Sequence, residues 1–284
     1  MNIKFDLQNA GYYYASRYPE NGIKISVGCD PEFEPWLIAN VLDNDNNIIC
    51  PAVNRISASD FSRIYSPNNE IKNILHTRVG LDRCRRCVEL RPKPSNNVDD
   101  VIKNIASLVK RIHKRGMLLS VWSLEEPIGG HIHIGSLDKN NPLIGDLIYP
   151  FNNLVKLLDR FIGKPTQVLN PNNRDGTQSN RYGYTYGNLS DARNKEHGFE
   201  YRTPPAAIFL TPNILRMCLQ IAQNLATKYF NFETISIGEE KNINLSEYDQ
   251  LNIDGQLFHN IIREISQTES KIISPAKWLK ERNP

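Results

Sequence analysis

With 284 residues, 40% of them hydrophobic, and a formal net charge of only +3, the chain can build one large core or two small ones. That charge is too small to indicate nucleic acid or a membrane surface. No apolar run approaches a membrane span and no N-terminal stretch reads as a signal peptide. Five cysteines, an odd number, fit a reducing cytoplasm better than a secreted disulfide scaffold, so a soluble cytoplasmic protein is expected.

In chain order, residues 21–27 lead into Val27-Gly28-Cys29-Asp30-Pro31-Glu32-Phe33-Glu34, a strand continuing toward Trp36-Leu37-Ile38. Asn44-Asp45-Asn46-Asn47 marks a hairpin-type turn before Ile48-Ile49-Cys50. A helix is expected around Asn69–Thr77, then strand from Val79 to Arg91, where Pro92 and Pro94 stop it. Asn97 is a good cap for a helix whose apolar stripe is Val98, Val101, Ile102, Ile105, Val109 and Ile112, with Gly116 at its C-terminal end. Met117–Leu124 reads as strand, and Pro127 with two glycines turns the chain into Gly130-His131-Ile132-His133-Ile134-Gly135. Helices follow over much of 143–162 and from about Pro212 to Tyr229, with two more expected around Gly255–Thr268 and Pro275–Arg282. Residues 163–199, rich in Pro, Asn and Gly, read as an irregular loop covering a site. Strands and helices mix without βαβ alternation, which favours a mainly antiparallel α+β sheet. One domain spans 1–284, its core about 24–235 and a helical extension about 244–284.

Cys84-Arg85-Arg86-Cys87 invites a zinc or redox reading, but a structural zinc site needs four ligands and no second pair exists. The two thiols read as metal-free.

Four segments share one design: Asp30-Pro31-Glu32, Glu89-Leu90-Arg91, His131-Ile132-His133 and Glu200-Tyr201-Arg202. On a strand, residues i and i+2 point to one face, so each segment presents a polar pair. Taken singly, Asp30/Glu32 is a solvated strand face and Glu200/Arg202 a cross-strand ion pair. Together they read as one active site, because burying so many charges without partners costs several kcal/mol each. Asp30, Glu32, Asp82, Glu89 and Glu200 supply carboxylates and His131 an imidazole, enough donors for two hard divalent ions. Beside several arginines, such ions describe a site for a nucleoside triphosphate. There is no Walker pattern and no Gly-x-Ser-x-Gly, so phosphate must be held by metals and side chains.

At these residues the chain resembles the glutamine synthetase-like carboxylate–amine ligases, nearest to the phage-type COOH–NH2 ligase (type 2) family, related to glutamate–cysteine ligases. Gly28-Cys29-Asp30-Pro31-Glu32-Phe33 resembles its first strand, with Asp30 where the family commonly has Glu. Asp82 and Glu89-Leu90-Arg91-Pro92 resemble the second acidic pair, and Gly130–Gly135 the His-x-His strand. Arg181, Arg193 and Glu200-Tyr201-Arg202-Thr203-Pro204 resemble the arginine-rich segment. The resemblance runs over roughly residues 24–210. It implies a curved antiparallel sheet of glutamine synthetase/glutamate–cysteine ligase catalytic-domain type, with helices on the convex face. It also implies ATP and Mg2+ or Mn2+, with Asp30, His131 and Glu200 on one metal and Glu32, Asp82 and Glu89 on the other. By the same resemblance His133 contacts ATP phosphate, Arg193 and Arg202 stabilise the transferred phosphoryl group, and Arg181 or Arg91 binds phosphate or the substrate carboxylate. The implied partners are a small-molecule or peptide carboxylate and an amine acceptor, joined through an acyl phosphate. Related folds range from single subunits to homo-oligomeric rings. The alternatives are a guanidino-kinase-like phosphotransferase on the same fold, or an inactive nucleotide- or metal-binding protein.

Overall fold

The long first strand, β1 (Ser26–Leu42), organises the molecule. Val27, Cys29 and Phe33 are buried on its apolar face, while Asp30, Glu32 and Glu34 alternate with them on the other. The structure, a computed structural model, describes residues 24–42, 48–65, 78–81, 87–121, 123, 127–136, 151–167, 169 and 187–230. Outside the described residues lie the turn at 44–47, the helix expected over 69–77, Cys84, both helices expected after residue 244, and the site candidates Asp82 and Arg181.

The remaining elements are β2 (Ile48–Arg55), α1 (Ala58–Tyr65), β3 (Val79–Leu81), β4 (Val88–Leu90) and α2 (Val98–His113). β5 (Met117–Ser120) and β6 (Gly130–Gly135) follow. Next, α3 (Phe151–Leu158) widens into a π-helical turn (Asp159–Gly163) and continues as α4 (Lys164–Gln167). β7 (Ala192–Lys195), β8 (Gly198–Tyr201), a 3-10 turn (Ala206–Phe209) and α5 (Pro212–Phe230) complete the described chain.

The eight strands form one antiparallel sheet with the path β3-β4-β1-β6-β8-β7, and β2 and β5 pair with the distal half of β1. The fold is therefore α+β, as expected. Two helices, α2 and α5, pack on each other, and both pack on β1. Val101, Leu108 and Ile112 of α2 and Ile214, Cys218, Ile221 and Leu225 of α5 are buried, as are Val27, Ile132, Ile134 and Phe199 from the sheet. Each fully buried aliphatic contributes about 2 kcal/mol. Asn97 caps α2 through its Oδ1, which accepts from Asp99 N at 2.9 Å. Thr211 does the same for α5, accepting from Ile214 N at 3.2 Å just before Pro212.

Of the segment 163–199 read as an irregular loop, residues 168 and 170–186 lie outside the described residues, while Lys164–Gln167 is helical. Its last part is β7, which pairs with β8 and forms an edge of the sheet. Short polar strands such as Ala192-Arg193-Asn194-Lys195 carry no apolar alternation, so pairing with β8 makes them strands rather than local preference. The strand expected over Met117–Leu124 is assigned only as far as Ser120. Cys29, Cys87 and Cys218 are buried free thiols. Among the described residues no helix is long and apolar enough to cross a membrane.

Candidate active site

The register of adjacent strands stacks the polar pairs against one another. Glu32 on β1 faces Glu89 on β4, Asp30 faces His131 on β6, His133 faces Glu200 on β8, and Glu200 faces Arg193 on β7. Asp30, Glu32, Glu89, His131, His133, Arg193 and Glu200 thus belong to one neighbourhood, and Arg91 and Arg202 follow directly on β4 and β8.

At its centre, Glu32 (1% exposed) and Glu200 (0%) flank His131 (4%). His131 Nδ1 is 3.3 Å from Glu200 Oε1 and 3.8 Å from Glu32 Oε1. Glu32 Oε2 accepts from the backbone N–H of Gly129 at 2.5 Å. That amide is available because Gly130 allows the chain to pass close to the Pro204–Pro205 segment; a Cβ there would sit 2.6 Å from Pro205 O. Gly130 N in turn donates to Pro204 O at 2.9 Å, tying the His-x-His strand to the segment after Arg202.

Glu200 is ringed by cations. Arg193 Nε donates to Oε2 at 2.5 Å, Lys195 Nζ lies 2.8 Å from the same oxygen, and Arg202 Nε is 3.7 Å from Oε1. Burial alone would raise the Glu200 pKa, but the Arg193 hydrogen bond, the His131 charge and Lys195 outweigh it and bring it down to about 2. The glutamate is a fixed anion that holds its cations in place. Arg202 is shared with Asp191, whose Oδ1 lies 3.5 Å from Nη1.

On the other side of the imidazole strand, His133 Nε2 approaches Asp30 Oδ2 at 2.8 Å. Burial works against the Asp30 charge, yet His133 and then His131 hold its carboxyl below the usual range. His133 Nδ1 meets His197 Nε2 at 3.1 Å with the rings stacked 5.2 Å apart. Burial, then His133 and Lys195, depress the His197 pKa. Arg91 turns back on its own strand, Nε donating to Glu89 Oε1 at 2.5 Å.

Hard oxygens beside an imidazole are what a divalent cation takes. Among the described residues, however, no three carboxylate, imidazole or thiol groups are arranged to hold a metal ion. Glu200 is engaged by Arg193 and Lys195, Glu89 by Arg91 and Asp30 by His133. In this arrangement these three carboxylates are held in ion pairs, and Asp82, a fourth expected donor, lies outside the described residues.

Three participants escaped the sequence reading. Lys195 continues the i, i+2 alternation of Arg193 and His197 sits in the turn just after it, but the segment read as loop, where that spacing carries no meaning. Glu34 continues the row Asp30/Glu32; it is buried and held by Arg55, Nε at 2.6 Å and Nη2 at 2.7 Å, and by Ser123 Oγ at 2.6 Å.

Buried acids, two imidazoles and partly exposed guanidinium groups thus gather on one face of neighbouring antiparallel strands, and this face is the candidate site. The profile of the family described as phage phiEco32-like COOH–NH2 ligase, type 2, matches residues 75–269, more than half of the sequence. The chain belongs to this family and is a carbon–nitrogen ligase of the carboxylate–amine class. The matched span takes in β3 to β8 and begins after β1, so Asp30 and Glu32 join the site through strand pairing. Among solved structures, the chain is similar to one titled "GmaS/ADP complex-Conformation 1", at 11% identity and a TM-score of 0.49, over 98% of this chain and 76% of that one. No curated protein sequence matches.

Proposed function

We propose that this chain is an ATP-dependent carboxylate–amine ligase working through an acyl phosphate. A substrate carboxylate oxygen attacks the γ-phosphorus of ATP and ADP leaves. The amine then attacks the acyl carbon, phosphate leaves with the bonding electrons, and the amine proton passes to a base or to water. The observation that carries this reading is the ring of Arg193, Lys195 and Arg202 around buried Glu200, opposite the two imidazoles of β6. Cations fixed in advance by a buried anion lose little on reorganising when negative charge gathers on phosphoryl oxygens, the step where such enzymes gain most.

In this reading Arg193 and Arg202 neutralise the transferred phosphoryl group, and His133 contacts the nucleotide phosphates. Arg181 or Arg91 takes phosphate or the substrate carboxylate. Magnesium or manganese is expected to accompany ATP, with Asp30, Glu32, Asp82, Glu89, His131 and Glu200 as donors. Titration of the protein with Mn2+ by electron paramagnetic resonance is a direct check of this donor set.

The deciding experiment is ATP turnover with hydroxylamine as surrogate amine across a panel of carboxylates. ATP-dependent hydroxamate supports acyl-phosphate chemistry and names the carboxylate. ADP release with a stable phosphorylated product and no hydroxamate would replace the ligase reading with a phosphotransferase.

A further inference from the structure

The rear of β8 is held by a carboxylate that the chemistry above does not use. Asp159 opens the π-helical turn and is buried. Its Oδ1 accepts from Tyr201 Oη at 2.8 Å, and its Oδ2 from Ser190 Oγ at 2.7 Å. Thr203 Oγ1 lies 3.3 Å from Oδ1 and donates at 2.7 Å to Asn188 O. Tyr201 stands between Glu200 and Arg202, and Thr203 follows, so these hydroxyls hold the strand from the face opposite the site.

The turn is shaped for this contact. A π turn moves backbone acceptors out of the ordinary ladder. The hydroxyl of Thr166 approaches two of them, Ile162 O at 2.7 Å and Gly163 O at 3.1 Å. Gly163 leaves open the space that the Tyr201 hydroxyl occupies; a Cβ there would press on that oxygen and lie 2.9 Å from Thr203 Cγ2.

The second oxygen of Asp159 reaches a strained residue. Ser190 has φ of +66°, the only non-glycine residue with positive φ among those described. Such a backbone is strained and persists where neighbours impose it. The next residue, Asp191, holds Arg202 twice: its carbonyl accepts from Arg202 N at 2.8 Å, and its carboxylate pairs with the guanidinium at 3.5 Å. The other carboxylate oxygen, Oδ2, accepts from Gly187 N at 2.6 Å, closing the turn.

We infer that Asp159 and Ser190 are positioning residues for Arg202: the carboxylate bonds the strand through one oxygen and the strained turn through the other, and so sets the guanidinium against Glu200. What Arg202 does once set rests on the ligase reading; the arrangement itself does not.

The test uses the full chain, labelled with 15N-arginine, with the Arg202 Nε–Hε signal assigned by its loss in Arg202→Lys. Wild type should show slow Hε exchange, as befits a buried Nε. Ser190→Gly relieves the backbone strain and removes the hydroxyl. It should keep or raise Tm while Arg202 Hε exchange accelerates about tenfold or more. Asp159→Asn should accelerate it too. Unchanged exchange in folded Ser190→Gly, or a Tm that falls together with faster exchange at every arginine, overturns the inference. Where hydroxamate is formed, Ser190→Gly should lower kcat about tenfold or more with KM for ATP unchanged. Hydroxamate absent from wild type would instead count against the acyl-phosphate reading, and the exchange measurement would still decide the positioning role.

Discussion

Replacing Glu200 by Gln removes one negative charge from a buried position and keeps the shape. In the folded chain the carboxyl sits at about 2 against an ordinary 4.5. That difference corresponds to a ceiling of about 3 kcal/mol of folding stability. Arg193 is 53% exposed, so part of its pull is screened by water, and about 2 kcal/mol is the working figure. Because the folded pKa is depressed, this contribution is fully present above pH 4.5 and is lost as the pH falls toward 2. Urea unfolding of wild type and Glu200→Gln in chelator-containing buffer should therefore differ by about 2 kcal/mol at pH 7, and the difference should shrink to about half as the pH drops from about 5 to about 3. ATP turnover should disappear in the variant at pH 7 although it remains folded. A stability difference that stays constant from pH 7 to pH 3 would refute the ion-pair account of Glu200, and wild-type turnover would refute its place in the chemistry.

Gly130→Ala drives a Cβ to 2.6 Å from Pro205 O, a backbone atom that cannot swing aside, so denaturant melts should show a loss of about 2 kcal/mol or more. Lys195→Met removes one of the cations on Glu200, yet Lys195 is partly exposed; Tm should move little while ATP turnover falls about tenfold or more. Asn97→Ala deletes the α2 cap, costing about 1 kcal/mol in urea melts with turnover unchanged per folded molecule. Glu34→Ala leaves the half-buried Arg55 without its carboxylate and should cost about 3 kcal/mol, read by thermal and urea denaturation.

Much of this arrangement is written in local pattern. Alternation alone put Asp30 with Glu32 and His131 with His133 on single faces, because a strand's side-chain period is two whatever its neighbours do. The cap at Asn97, the stripe of α2 and the start of α5 at Pro212 were equally legible, since each depends on residues within a turn or two of one another. Pairing was not. That Asp30 faces His131, and His133 faces Glu200, depends on register between segments far apart in sequence, and a slip of one residue would turn every polar pair into the core. Lys195 belongs to the site only because β8 captures a polar segment as an edge strand, and His197 because the turn joining the two strands brings it to His133. Asp159 lies 42 residues before Tyr201, and a π turn, which no short-range spacing announces, brings its carboxylate behind the strand. Periodicity is a property of the backbone and survives in any context; which charges neutralise which is settled by burial, and burial exists only once the sheet has closed over its core.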